Sequence, residues 1–114
     1  MSSFLKSLCL LVFFAGLIGC SSDPPSVRVL NERSTKANVQ YKQANGNTVN
    51  INDVEAGQVT GFRDLVTGRT DVTAGIQNET VAPTVTFQAE DDNNYTIVVV
   101  NSTPPTLRVD SESK

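Results

Sequence analysis

Two cysteine thiols, Cys9 and Cys20, are the strongest nucleophiles in the sequence, which contains no histidine. Without an imidazole there is no general base of the Ser-His-Asp or Cys-His kind. No glycine-rich loop leads from a strand into a helix, so no phosphate cradle is encoded. Carboxylates remain, and these stand singly except at Glu90-Asp91-Asp92. Glycoside hydrolysis needs two of them flanking one bond, so a carboxylate-dependent hydrolase ranks last among the readings. The acidic triplet also offers oxygens to a calcium ion. It lacks the alternating acidic spacing of a calcium loop, and Asp and Asn are ordinary turn residues because their side chains bond local backbone. The expectation is therefore a solvated turn, with no metal, no cofactor and no catalytic site.

The surroundings of Cys20 say more. Lys6 and the free amine precede an apolar and small-residue run from Leu8 to Gly19, and the polar Ser21-Ser22-Asp23 ends it. A membrane-spanning helix needs roughly 20 apolar residues, whereas a charged start followed by a shorter apolar run is the pattern of an export signal. The run closes on Leu17-Ile18-Gly19-Cys20, which resembles the bacterial lipobox. That resemblance implies cleavage before Cys20 and a diacylglycerol on its thiol. The expected organisation is a signal peptide over 1–19, a lipidated Cys20 with a short tether over 20–26, a β domain over 27–110 and a frayed tail over 111–114. Each buried methylene contributes about 0.8 kcal/mol, and a single chain binds only marginally. Lipoproteins of this kind carry two or three chains, palmitate among them, so attachment would be permanent. Ser21 after the cysteine, where Asp would retain a protein at the inner membrane in enterobacterial sorting, implies the outer membrane. At about 3.3–3.6 Å per residue the tether reaches only about 20 Å, which confines partners to the membrane surface.

Loss of the signal removes Cys9 and Lys6. Nine basic residues become eight against twelve acidic ones, a net charge of −4. Nucleic-acid binding depends on neutralising phosphates, and neither this balance nor any Lys/Arg block supports it. With Cys20 acylated no thiol is left for a disulfide, so stability must come from apolar burial and β hydrogen bonding.

From Val27 onward no helical period survives, and short alternating runs lie between Gly and Asn turn signals, the pattern of an all-β sandwich or barrel. Strands are expected at Val27–Leu30, Asn38–Lys42, Thr48–Asn52, Gln58–Arg63, Thr70–Ala74, Val81–Gln88, Tyr95–Val100 and around Leu107 and Val109. Asn45-Gly46 predicts a tight hairpin with positive φ at both residues. Tyr95–Val100, apolar on both faces, should be the most buried strand, and Pro104-Pro105 predicts an edge or a change of sheet. Tyr41, Phe62, Phe87 and Tyr95 all read as core, which leaves no aromatic platform for sugars, although a polar groove stays open. The fold expected is an antiparallel immunoglobulin-like or transthyretin-like β-sandwich of seven or eight strands, with a small barrel second.

The opening Val27-Arg28-Val29, the stretch Val54 to Phe62, the Val81 to Phe87 strand and the closing Asn94-Tyr95-Thr96-Ile97-Val98-Val99 resemble the bacterial family known as domain of unknown function 4397. The sequence has Asp92-Asn93-Asn94 where that family usually places a turn glycine. The resemblance implies a secreted or lipid-anchored β-sandwich and no particular activity. The leading expectation is a non-catalytic envelope module held to the membrane through lipid on Cys20 and contacting another envelope protein or a polymer. The alternative is an accessory subunit for modifying or exporting an envelope polysaccharide, an analogy from fold and location.

Overall fold

Successive side chains of a strand point to opposite faces, so a chain of short alternating runs can bury one face of each by pairing two sheets. The computed structural model describes residues 22–114, which form eight strands: β1 (Ser26–Asn31), β2 (Ala37–Lys42), β3 (Thr48–Val54), β4 (Arg63–Asp64), β5 (Gly68–Ile76), β6 (Thr84–Ala89), β7 (Asn93–Val100) and β8 (Thr106–Ser113). They make two four-stranded sheets, in the orders β4-β1-β7-β8 and β3-β2-β5-β6, packed as a β-sandwich. Val27, Val29, Ile97 and Val99 face Val39, Tyr41, Val72 and Ala74 across the interior, none more than 1% exposed. Burying one such Val or Ile contributes about 1.5–3 kcal/mol. Burial also pushes the Tyr41 hydroxyl above its ordinary pKa of 10.0, partly offset by the charge of Arg63. β7 is the most buried strand, as its sequence requires: Ile97, Val98 and Val99 are all fully buried. It lies between β1 and β8, and the cross-strand neighbours Leu30 and Arg108 flank Val98 on the outer face.

The sandwich departs from the sequence reading in identifiable places. β1 pairs with β7 in parallel, Val27 beside Tyr95 and Asn31 beside Val99. A parallel pair needs a long crossover, which the intervening strands in the other sheet supply. The β2–β3 hairpin forms, but only Gly46 takes positive φ (88°). The Gly46 N–H donates to the Gln43 carbonyl and the Gln43 N–H to the Asn47 carbonyl, a three-residue loop closed by a glycine bulge. Residues 58–63 do not make a regular strand. Before Arg63, which opens β4 opposite Val27, they run beside β1 with one isolated bridge, Leu30 to Val59, because the Thr60 hydroxyl accepts the Val29 N–H that a ladder carbonyl would otherwise take. Phe62 is consequently not core: it is 44% exposed, with the Arg28 guanidinium 4.6 Å from its ring centre. β6 starts at Thr84, not Val81, since Pro83 has no N–H for the ladder.

The C-terminus also differs. Residues 111–113 are the end of β8, not a frayed tail, and Ser113 pairs with Asn93. The chain does not change sheet at Pro104-Pro105; β8 turns back beside β7 and forms the edge.

Candidate functional site

One end of the sandwich, here the base, gathers the chain entry at Ser22–Pro25, the hairpin 43–47, the segment 65–67, the turn 90–92 and Lys114. The acidic turn does not stand in solvent alone; it fastens the entering chain. The Ser22 hydroxyl donates to Asp91 Oδ2 at 2.9 Å, and the Thr67 hydroxyl donates to Asp91 Oδ1. The Asp23 N–H donates to Asp92 Oδ1 at 2.9 Å and the Asp92 N–H to the Asp23 carbonyl at 2.9 Å. Lys114 adds its ammonium, which donates to the Pro24 carbonyl, and the Leu65 N–H takes the Pro25 carbonyl. Four residues of the expected tether, Ser22 to Pro25, are thus bonded to the fold, Pro25 is buried, and Ser26 already belongs to β1. The bonds from Thr67 and then Ser22 hold the Asp91 carboxyl below its ordinary pKa of 3.8.

Tyr95 sets that turn. Its ring packs on Phe87 with centres 4.9 Å apart, and its hydroxyl accepts the Glu90 N–H at 2.8 Å while donating to the Gln88 carbonyl. Asp92 completes the turn with a φ of 64°, which Asp tolerates better than most residues. The triplet is thus a bonded turn and not the solvated one expected, with Asp91 and Asp92 turned to the tether.

The opposite end is closed by Arg33. Its Nη1 donates to the carbonyls of Val100 and Ser102, and its Nη2 to Glu79 Oε2 at 3.0 Å. The side chain is 10% exposed, and its Nε is buried with no partner among the described residues. Asn31 supports it from below, accepting the Arg33 N–H while its amide donates to the carbonyls of Thr35 and Val54. Three loops are locked together, an arrangement with a structural purpose.

The outer face of the second sheet is of another kind. Asn38 and Gln40 on β2, Asn50 and Asn52 on β3, and Thr73 on β5 all point outward, and with Gly75 and Ala82 they line a hollow of about 290 Å3. A second hollow of about 370 Å3, reaching toward Lys36, Gln77 and Glu79, shares Asn38 and Gly75 with the first. Together they form a trough across the sheet. Sequence reasoning ended the β5 strand at Ala74 and so missed it. The usable signal was the glycine itself, because β5 continues through Gly75 to Ile76.

Leu17, Ile18, Gly19 and Cys20, the residues of the expected cleavage and acylation motif, lie outside the described residues. No family model matches the chain, and no curated protein does. The fold is similar to that of a protein from Eubacterium rectale solved by NMR, with a TM-score of 0.56 and 15% identity over 81% of this chain and 93% of that one. At that identity the likeness is one of architecture.

Proposed function

We infer that the chain is a lipid-anchored module of the bacterial cell envelope, a β-sandwich that binds or braces a neighbour and converts no substrate. The lipobox-like Leu17-Ile18-Gly19-Cys20 and the resemblance to domain of unknown function 4397 support the address, and Ser21 favours the outer membrane. The observation that carries the reading is the fastened entry: Ser22, Asp23, Pro24 and Pro25 are all bonded to the base of the sandwich. With lipid on Cys20, only Ser21 would separate anchor from fold, and the two steps from Cys20 to Ser22 span at most about 7 Å. A domain held this way stands base-down on its leaflet and presents its Arg33 end away from the membrane.

The non-catalytic part rests on residue types. The described residues contain neither His nor Cys, and the lowered carboxylates, Asp71 and Asp91, are held by hydroxyls and by Arg69, beside no facing acid. The second reading, an accessory subunit for envelope polysaccharide modification or export, is favoured by the amide-lined trough on the second sheet.

Growth of a bacterial host with tritiated palmitate tests the anchor. The wild-type chain is expected in the membrane fraction, carrying label. Cys20→Ala is expected to be unlabelled, and to remain an uncleaved precursor or appear in soluble form with its β-sheet circular dichroism intact. Label persisting in that variant would refute acylation at Cys20.

A further inference from the structure

Gly75 sits within an internal strand, and the fold does not require a glycine there. It lacks a positive φ, and a Cβ built on it would meet nothing within 4 Å. Gly68 at the start of the same strand is the contrast: its φ is +123° and a Cβ would lie 2.7 Å from that of Ala44. A glycine inside a strand weakens the strand, and otherwise marks a bulge, a bend or the close approach of a ligand or another backbone. The β2–β5 register runs unbroken through Gly75, opposite Asn38; the register shift at Asn38, between Ala37 and Val39, lies on the other side of β2, against β3. What its missing side chain does is open the floor that the two hollows share.

The walls of that trough specify its ligand. Carboxamides of Asn38, Gln40, Asn50 and Asn52 each offer a donor and an acceptor, and Thr73 a hydroxyl that is both. Of these, only Asn38 is engaged within the described residues, accepting the Asp53 N–H. The middle of the trough carries no charge. The cation at its upper end, Lys36, is shared between Asp53 and Glu55 at 3.8 Å each, and Glu79 is held by Arg33. An anionic polymer would find its charge met by carboxylates as much as by the lysine. A chain of uncharged vicinal hydroxyls matches paired amide donors and acceptors without desolvating a charge. Each hollow stands near the small end of ligand pockets, about 300–1,000 Å3, the scale of one sugar ring.

We propose that this trough is a binding site for a neutral polysaccharide, one pyranose ring in each hollow, with Gly75 as the floor beneath their linkage. The proposal rests on the binding-module reading and is independent of the anchor. Palmitate labelling lost together with Cys20 leaves it untouched, and failure of glycan binding leaves the anchor untouched.

The test is native gel electrophoresis of the full chain in mild detergent, through gels containing dextran, galactomannan, β-1,3-glucan or amylopectin, with alginate and polygalacturonate as anionic arms and a Gln- and Ser-rich peptide as competitor. The expected result is retardation by at least one neutral polymer, unaffected by the peptide. Gly75→Val is expected to weaken that binding at least tenfold while raising Tm by roughly 3–6 °C, since the new side chain enters open space and limits the unfolded chain. Asn50→Ala, remote from the core, should weaken binding severalfold with Tm unchanged. Retardation by the anionic polymers alone, displacement by the peptide, no retardation by any neutral polymer, or wild-type binding in a stably folded Gly75→Val would each overturn the proposal.

Discussion

Arg33 carries a guanidinium into the upper end of the sandwich and spends its fork on three groups from two other loops. Hydrogen bonds to a charged group contribute about 1.5–3 kcal/mol, more than neutral ones, whereas the ion pair with the one-third exposed Glu79 adds little because water screens it. Most of the effect should therefore come from the carbonyls of Val100, at the end of β7, and Ser102, in the loop that leads to β8. Arg33→Ala is expected to cost about 2–4 kcal/mol in urea unfolding with the m-value unchanged. Arg33→Lys should recover less than half, because an ammonium cannot reproduce the planar fork. Glu79→Gln, leaving both carbonyl bonds intact, should cost under about 1 kcal/mol. A larger loss in Glu79→Gln than in Arg33→Lys would mean that the ion pair, not the carbonyl bonds, closes this end.

At the scale of elements, the turn 90–92 has become a fastening. Part of its hold on the entering chain, the bond from Ser22, depends on Asp91 being ionised, since a carboxylate accepts from both Ser22 and Thr67, while Asp92 bonds Asp23 beside it. Because the folded pKa lies below the ordinary 3.8, the contribution of these bonds is complete above that value and is lost as pH falls through the depressed one. An NMR titration of the Asp91 carboxyl carbon should give a midpoint below 3.8. In Asp91→Asn, the order parameter of the Asp23 amide should fall from the rigid range, about 0.85, toward 0.6 or lower. An ordinary midpoint, or a rigid Asp23 in that variant, would show that the Asp92 and Lys114 contacts suffice alone.

The same elements show what the sequence made readable and what it did not. Val39 with Tyr41, Val49 with Ile51 and Val85 with Phe87 pack on or against the core, because a period of two determines which face of a strand is buried. Phe62 reads as core only as the end of an expected strand, but its segment is held to β1 partly by the Thr60 side chain, and no pattern of apolar residues records such a bond. The Ser111–Lys114 stretch looked too polar to be ordered. It pairs because β7 has a free edge there and supplies backbone partners regardless of side chain. Asp91 and Asp92 were legible as a turn; their partners Ser22 and Asp23 lie 69 residues away, beyond any local signal. The trough is half legible, since its amides alternate along β2 and β3, whereas Gly75 reads as the end of a strand that in fact runs through it to Ile76.

Taken whole, the molecule has two ends and two unlike outer faces. One face carries Phe62 and Arg28; the other carries the amide trough. The chain enters at the base, returns there at Lys114, and is bonded to itself where they meet. A lipid on Cys20 would turn that geometry into an orientation: base against headgroups, Arg33 end outward, trough axis running up from the membrane. The acylated chain would hold no free thiol, so a single introduced cysteine is uniquely addressable.

Placing a maleimide fluorophore at Asn45→Cys in the base hairpin or at Asn101→Cys in the far loop, in membranes containing lipid-borne quencher, therefore tests the central claim most directly. Apart from the two-residue β4, strands of six to nine residues at about 3.3 Å per residue separate the two ends by about 20–30 Å. Strong quenching at position 45 and almost none at position 101 is the predicted result; equal quenching at the two positions would contradict a sandwich fastened base-down on its membrane.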